Sequence, residues 1–159
     1  MTWVLDASVV IKALTRNEEG AGEADAFMRQ PAVAPDLLVA ECVNALRKKV
    51  LAGELNVERA MLAASLLQTS GITLEPTQAL AKRALDLSLR LSQPSYDCVY
   101  LALAERLGAV LVTADRKLVE RCQQADATDL ANRVHWLHAP APPQVQERTF
   151  RPYMARRAA

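Results

Sequence analysis

At 159 residues the chain is long enough for one domain whose core closes without disulfide or metal staples. Lys and Arg number 19 against 18 Asp and Glu, a formal net charge of +1, so the overall balance neither implies nor excludes a polyanionic partner and local patches must decide. Apolar residues make up 51% but aromatics only 4%, which calls for a core of Leu, Val and Ala; Cys42, Cys98 and Cys122 show no CxxC pairing and read as reduced, buried thiols of a cytosolic protein.

The first residues enter a strand directly, without the basic and apolar regions of a secretory signal, so none is expected and a cytoplasmic location is the expectation. No apolar stretch reaches membrane-spanning length. Residues 2–5 read as a buried strand and 7–15 as a helix; a second helix over 20–30 stops before Pro31. Val33 and Ala34 form a short strand before Pro35. Asp36 then caps a helix reaching residue 52, with Gly53 as its stop. Asn56 caps a helix to residue 69, ended by Gly71. Residues 72–74 suit a short strand, and 77–91 a helix broken off by Pro94. Ser95 caps a helix to residue 107, closed by Gly108. A strand over 110–113, a short helix over 115–122 and a last strand over 134–137 complete the series. Strands alternating with helices imply an α/β fold with a central, mainly parallel sheet and right-handed crossovers. Ligands then bind beyond the carboxyl ends of the strands, at the switch point. Past residue 137 the character changes: 139–143 reads Ala-Pro-Ala-Pro-Pro, a stiff, extended linker. The tail beyond it carries Arg148, Arg151, Arg156 and Arg157 against Glu147, and the chain has no internal repeats.

Four acidic residues fall at the ends of these elements: Asp6 after the first strand, Glu41 early in a helix, Asp97 at the start of an apolar helix, and Asp115 after the strand over 110–113. No nucleophile motif or glycine-rich loop competes with them. Separated carboxylates converging at strand and helix ends suit a divalent cation with hard oxygen ligands, Mg²⁺ or Mn²⁺. Each also has an ordinary explanation. Asp6 and Asp115 stand where helix N-caps belong, and Asp97 lies in a first turn, where the helix dipole favours an acid. Yet residues 98–104 carry no charge, so that helix is expected to be buried all round, with Asp97 on the face of Tyr100, Leu101 and Ala104. A carboxylate there needs a cation or several donors to offset lost hydration. Periodicity favours Glu41 least: Val39, Val43, Leu46 and Val50 make the expected core stripe of its helix and put Glu41 on nearly the opposite, solvated side. Asn44, one turn on, and Thr113, two residues before Asp115, are candidate supporting groups. Lys12, Arg16, Arg116 and Lys117 are candidate contacts for a phosphate backbone, or simply solvated helix faces. The tail, with Phe150 and Tyr153 among its arginines, either contacts phosphates and stacks bases or serves as a solubilising extension. His135 and His138, an HxxH pair around Trp136, lack further ligands and are discounted.

Four segments carry a more specific signal: Val4-Leu5-Asp6-Ala7-Ser8-Val9-Val10, Glu41-Cys42-Val43-Asn44-Ala45-Leu46, Tyr96-Asp97-Cys98-Val99-Tyr100-Leu101-Ala102-Leu103-Ala104 and Leu111-Val112-Thr113-Ala114-Asp115-Arg116-Lys117-Leu118. In this order, over residues 2–137, they resemble the PIN-domain family, and within it the VapC-type toxin ribonucleases of bacterial toxin–antitoxin modules. The resemblance implies a three-layer α/β/α fold and a metal-binding, catalytic cluster of Asp6, Glu41, Asp97 and Asp115, dependent on Mg²⁺ or Mn²⁺. It implies supporting hydroxyls at Ser8 and Thr113 and a polar companion to the glutamate at Asn44. It also implies cleavage of RNA of the translation machinery, a small VapB-type antitoxin as partner, and a homodimer. The expected organisation is a nuclease domain over 1–138 and a Pro/Ala linker with an arginine-rich tail over 139–159, where the chain departs from the family's compact pattern. Two other uses of an aspartate after a first strand do not match. A haloacid-dehalogenase-like phosphatase needs a second aspartate where Ser8 stands, and a response receiver needs adjacent acids where Asp6 stands alone. The alternatives left are an RNA-processing PIN nuclease without an antitoxin, or a nucleic-acid-binding regulatory protein acting in a complex.

Overall fold

Trp3, Val4 and Leu5 are all buried, the pattern of a strand covered on both faces, as a central parallel strand must be. In the computed structural model, which describes residues 1–146, this strand β1 (Trp3–Leu5) lies in a five-stranded sheet. Its other members are β2 (Ala32–Pro35), β3 (Thr73–Glu75), β4 (Val110–Thr113) and β5 (Val134–Trp136). All pairings are parallel and the order is β3-β2-β1-β4-β5. The helices are α1 (Ala7–Thr15), α2 (Ala21–Met28), α3 (Leu37–Leu51), α4 (Val57–Gln68), α5 (Ala81–Leu91), α6 (Ser95–Leu107), α7 (Arg116–Cys122) and α8 (Pro143–Gln146). Helices α1 to α4 pack on one another, while α5 packs on α6, which lies across β1, β2 and β4. The result is the expected three-layer α/β/α architecture.

The five expected strands all form: β1 and β4 are short, largely buried apolar runs, whereas β3, Thr-Leu-Glu and mainly exposed, is fixed by its parallel pairing with β2. Helix α6 is buried without interruption from Cys98 to Ala104, and Gly108, at φ +62°, closes it. Trp3 meets Phe27 edge-on, with centroids 5.2 Å apart. The three cysteines are free and buried. Among the described residues no helix is long and apolar enough to cross a membrane.

Some local expectations are corrected. Asp36 does not cap α3 with its side chain. Its carboxylate instead accepts the Thr77 N–H at 2.9 Å and the Thr77 hydroxyl at 2.5 Å, and that hydroxyl accepts the Leu37 N–H at 3.3 Å. The tie pins Thr77, so a 3₁₀ turn over Thr77–Leu80 precedes α5 where one continuous helix was expected. Ser95 opens α6 without a side-chain cap, whereas Asn56 does cap α4 through Arg59 N–H at 2.8 Å. In α3 the buried residues are Leu38, Cys42 and Leu46, while Val39 and Val43 are 41% and 52% exposed. The core stripe therefore runs one residue away from the expected one. Residues 139–143 were expected to be an extended linker, but α8 begins at Pro143 within them, buries Val145 and packs near α2. The arginine-rich tail, with Phe150 and Tyr153, lies outside the described residues.

Candidate active site

The order of the sheet reverses between β1 and β4, so the segments that leave these two strands open onto one crevice. Pairing continues one residue past β1, with Asp6 N–H donating to Val112 carbonyl at 3.1 Å. Asp6 occupies the N-cap position of α1 but makes no cap bond. Its Oδ2 accepts the Ser8 hydroxyl at 2.7 Å and the Thr113 hydroxyl, 107 residues away, also at 2.7 Å. Those hydroxyl oxygens accept backbone N–H groups in turn, Ala114 to Ser8 at 3.1 Å and Asp115 to Thr113 at 3.0 Å. Each hydroxyl hydrogen is thereby committed to Asp6, and the carboxylate is held across β1 and β4.

Asp115 does what a cap does. Its Oδ1 accepts the Lys117 and Leu118 N–H groups at 2.9 and 3.2 Å, which leaves Oδ2 outside the cap. Asp97, half-buried in the first turn of α6, has its carboxyl pushed up to about 6, first by burial and then by the charges of Asp6, Asp115 and Glu41. Glu41 is also half-buried, not on the solvated side that the periodicity of its helix alone suggests. Burial and the charge of Asp6 raise its carboxyl, opposed by the hydroxyl of Tyr100, which donates to Oε2. All four acids line a single open cleft of about 530 Å³. Among the described residues none of the four has an ion-pair partner.

Residues 3–123 match the PIN domain. The chain belongs to the PIN-domain family. PIN domains are in general metal-dependent nucleases that act on nucleic acids. The crystal structure of PAE2754 from Pyrobaculum aerophilum is similar in fold, with a TM-score of 0.57 and 24% identity over 76% of this chain and 79% of that one. No curated protein matches the chain.

The donor set of this PIN chain suits a hard divalent cation in kind, since it offers carboxylate oxygens and no competing nitrogen or sulfur ligand. In position it is looser: among the described residues no three Asp, Glu, His or Cys side chains already enclose an ion. Burial, with the charges of neighbouring carboxylates added to it, raises Asp97 and Glu41, so the set favours a positive charge joining it.

The remaining expected residues divide. Ser8, Asn44 and Lys12 line the cleft with the acids. Arg16 does not; it lines a separate groove with residues of α2 and α4 and bonds Asp25 at 3.2 Å. Arg116 is exposed, paired with Glu120 at 2.7 Å and placed over the Trp136 ring at 5.5 Å from its centroid. Lys117 is exposed, and neither it nor Arg116 lines the cleft. The same holds for His135 and for His138, which packs against Trp136 with centroids 5.2 Å apart. Sequence reasoning missed Tyr100 as the support of Glu41, although a hydroxyl one turn beyond Asp97 in an apolar helix was a usable signal. It also missed Lys48 and Lys49, two turns beyond Glu41 on α3, and Glu18, which no local pattern marks.

Proposed function

We propose that this PIN chain is a Mg²⁺- or Mn²⁺-dependent endoribonuclease of the VapC type, the toxin of a toxin–antitoxin pair, which cleaves RNA of the translation machinery and is held in check by a small VapB-type antitoxin. The observation that carries the nuclease reading is the gathering of four carboxylates without cationic partners in one cleft at the switch point. Asp6 and Asp97 would be the principal ligands, with Asp115 and Glu41 completing the set directly, through water, or by taking a proton. When bound, a divalent cation supplies charge neutralisation at the phosphoryl group and lowers the pKa of attacking water. The protein's own part is positional. Ser8 and Thr113 fix one oxygen of Asp6, and Tyr100 fixes one oxygen of Glu41. The Asp115 cap ties its carboxylate to the start of α7. With its carboxyl pushed up to about 6, Asp97 can hold a proton in weakly acidic conditions and release it as positive charge arrives.

Exposed apolar side chains on α3 and α4, among them Val43, Met61 and Leu62, support the homodimer and antitoxin part of the reading, since bare patches of this kind mark partnered faces. A toxin is also expected to have a small reading frame beside its gene, whose product, co-expressed, silences cleavage.

The nuclease reading is tested by incubating structured RNA with the unaltered chain and with Asp97→Asn, in Mg²⁺ or Mn²⁺ and then in EDTA. Cleavage is expected only for the unaltered chain with metal, and Asp97→Asn should cost on the order of 10²–10³ in rate, the scale of losing one charge-stabilising group. Equal cleavage in every condition would sink the four-acid site.

A further inference from the structure

Lys12 on α1 and Lys49 on α3 converge on a single carboxylate, that of Glu18 in the loop between α1 and α2. Lys12 Nζ lies 2.9 Å from Glu18 Oε2 and 3.1 Å from the Glu19 carbonyl. Lys49 pairs with Glu18 Oε1 and, at 3.3 Å, with Glu54. The lysine side chains are only 16% and 15% exposed, so they are well withdrawn from water and in need of an anion. These three side chains, with Lys48, line the same cleft as the four acids. Lys12 follows Ser8 by one turn of α1, and Lys48 and Lys49 follow Glu41 by two turns of α3, so the helical repeat carries the cleft from acids to lysines along both walls.

A nucleic-acid strand laid across the acids brings a negative charge with each nucleotide, and the acid end of the cleft repels it. The lysine end is where a flanking phosphate finds compensation. There, however, two of the three cleft lysines are already held by Glu18, whose two oxygens bridge two ammonium groups as the non-bridging oxygens of a phosphate would.

We propose that Lys12 and Lys49 form the binding site for a phosphate flanking the scissile one, and that the Glu18 carboxylate occupies this site in the free protein and is displaced by the incoming strand. The proposal rests on the nuclease reading given above. It makes Glu18 an internal competitor of the substrate. A purely structural clamp, tying the loop to α1 and α3, would have the opposite signature, because weakening it loosens the cleft walls.

The test is the binding of a short single-stranded oligoribonucleotide of mixed sequence, followed by fluorescence anisotropy across a salt series. It uses the full chain carrying Asp97→Asn, so that the RNA stays intact. Glu18→Gln keeps the shape and removes the charge; it is expected to tighten binding about fivefold, the scale of two partly exposed ion pairs, with the salt dependence unchanged. Lys49→Ala is expected to weaken binding by a similar factor and to flatten the slope of log affinity against log salt by about 0.7, the loss of one phosphate contact on a single strand. Lys82→Ala, exposed on α5 and outside the cleft, serves as the control for generic loss of positive charge. Thermal midpoints accompany each variant. Weaker or unchanged binding by Glu18→Gln, with a lowered midpoint, would establish a clamp and overturn the proposal. Equal behaviour of Lys49→Ala and Lys82→Ala would overturn the phosphate site while cleavage by the unaltered chain leaves the nuclease reading standing. Absence of both binding and cleavage would overturn the two together.

Discussion

The carboxylates of this chain live under two different regimes. On the α5–α6 side, acids meet arginines: Arg83 reaches Glu105 through two bonds of 2.8 Å and also pairs with Asp86, Arg90 holds Asp129, Arg121 holds Asp126, and Arg106 holds Glu75. Bonds from their arginines keep the Asp126 and Asp129 carboxyls below the usual range. For Asp6, Glu41 and Asp115 the partners are hydroxyls and backbone N–H groups, and burial and mutual repulsion push Asp97 and Glu41 up. A shortage of cations does not explain the difference, because Lys and Arg number 19 against 18 acids. The chain that pairs its surface acids so regularly leaves four half-buried ones to repel each other, a local conflict of the kind that marks functional sites.

The contrast sharpens most at Thr113. Thr113→Val keeps the β-branched shape in a fully buried position and removes one of the two hydroxyls that hold Asp6. RNA cleavage is expected to fall by about 10- to 100-fold, as for other partners that orient a ligand. A fall no larger than the assay error would mean that Asp6 needs no such support. On the paired side, Arg83→Ala should cost up to about 1 kcal/mol in urea unfolding, less at high salt, and leave cleavage unchanged. If it slowed cleavage as Thr113→Val does, the two regimes would not be distinct. An effect of similar size concerns pH. In the absence of divalent cations, Asp97 releases its proton near 3.8 when unfolded and at about 6 when folded. Between these values the unfolded chain binds fewer protons, so the stability contribution of Asp97 falls as pH rises through the window and stays low above it. Asp97→Asn should therefore be more stable than the unaltered chain at neutral pH, by about 1 kcal/mol once solvent screening is allowed for, with no difference below pH ~3.8. Equal stability curves would remove burial and repulsion as the cause of the shift.

The architecture was legible because local signals agreed with one another: the apolar runs Trp3–Leu5 and Val110–Thr113, the Asn56 cap and the Gly108 stop each act within a few residues. Misreadings arose where a distant partner decided the outcome. Asp36 gives its carboxylate to Thr77, 41 residues on, and so leaves α3 without the side-chain cap its sequence suggests. Helix α3 carries two apolar stripes, and which of them meets the core depends on packing; choosing Val39 and Val43 turned Glu41 outward, whereas Leu38, Cys42 and Leu46 turn it toward Tyr100. Asp6 read equally well as a cap, and only its bond to Thr113 on a neighbouring strand distinguishes it from one. Of the expected phosphate contacts, Lys12 lies in the cleft, while Arg16 and Arg116 are engaged elsewhere by Asp25 and Glu120. The acids were recognisable as a set by order and spacing along the chain; the lysines were not, because their grouping exists only once α1 and α3 are side by side.

The central claim is that the cleft acids are held in a costly arrangement that a divalent cation relieves. Thermal unfolding of the unaltered chain and of Asp97→Asn at neutral pH, with and without Mn²⁺, tests it most directly. The unaltered chain is expected to gain stability with Mn²⁺, by about 2.7 kcal/mol at a hundredfold excess over the dissociation constant. Asp97→Asn should start higher and respond little. An equal Mn²⁺ response in both proteins, or none in the unaltered chain, would contradict the account.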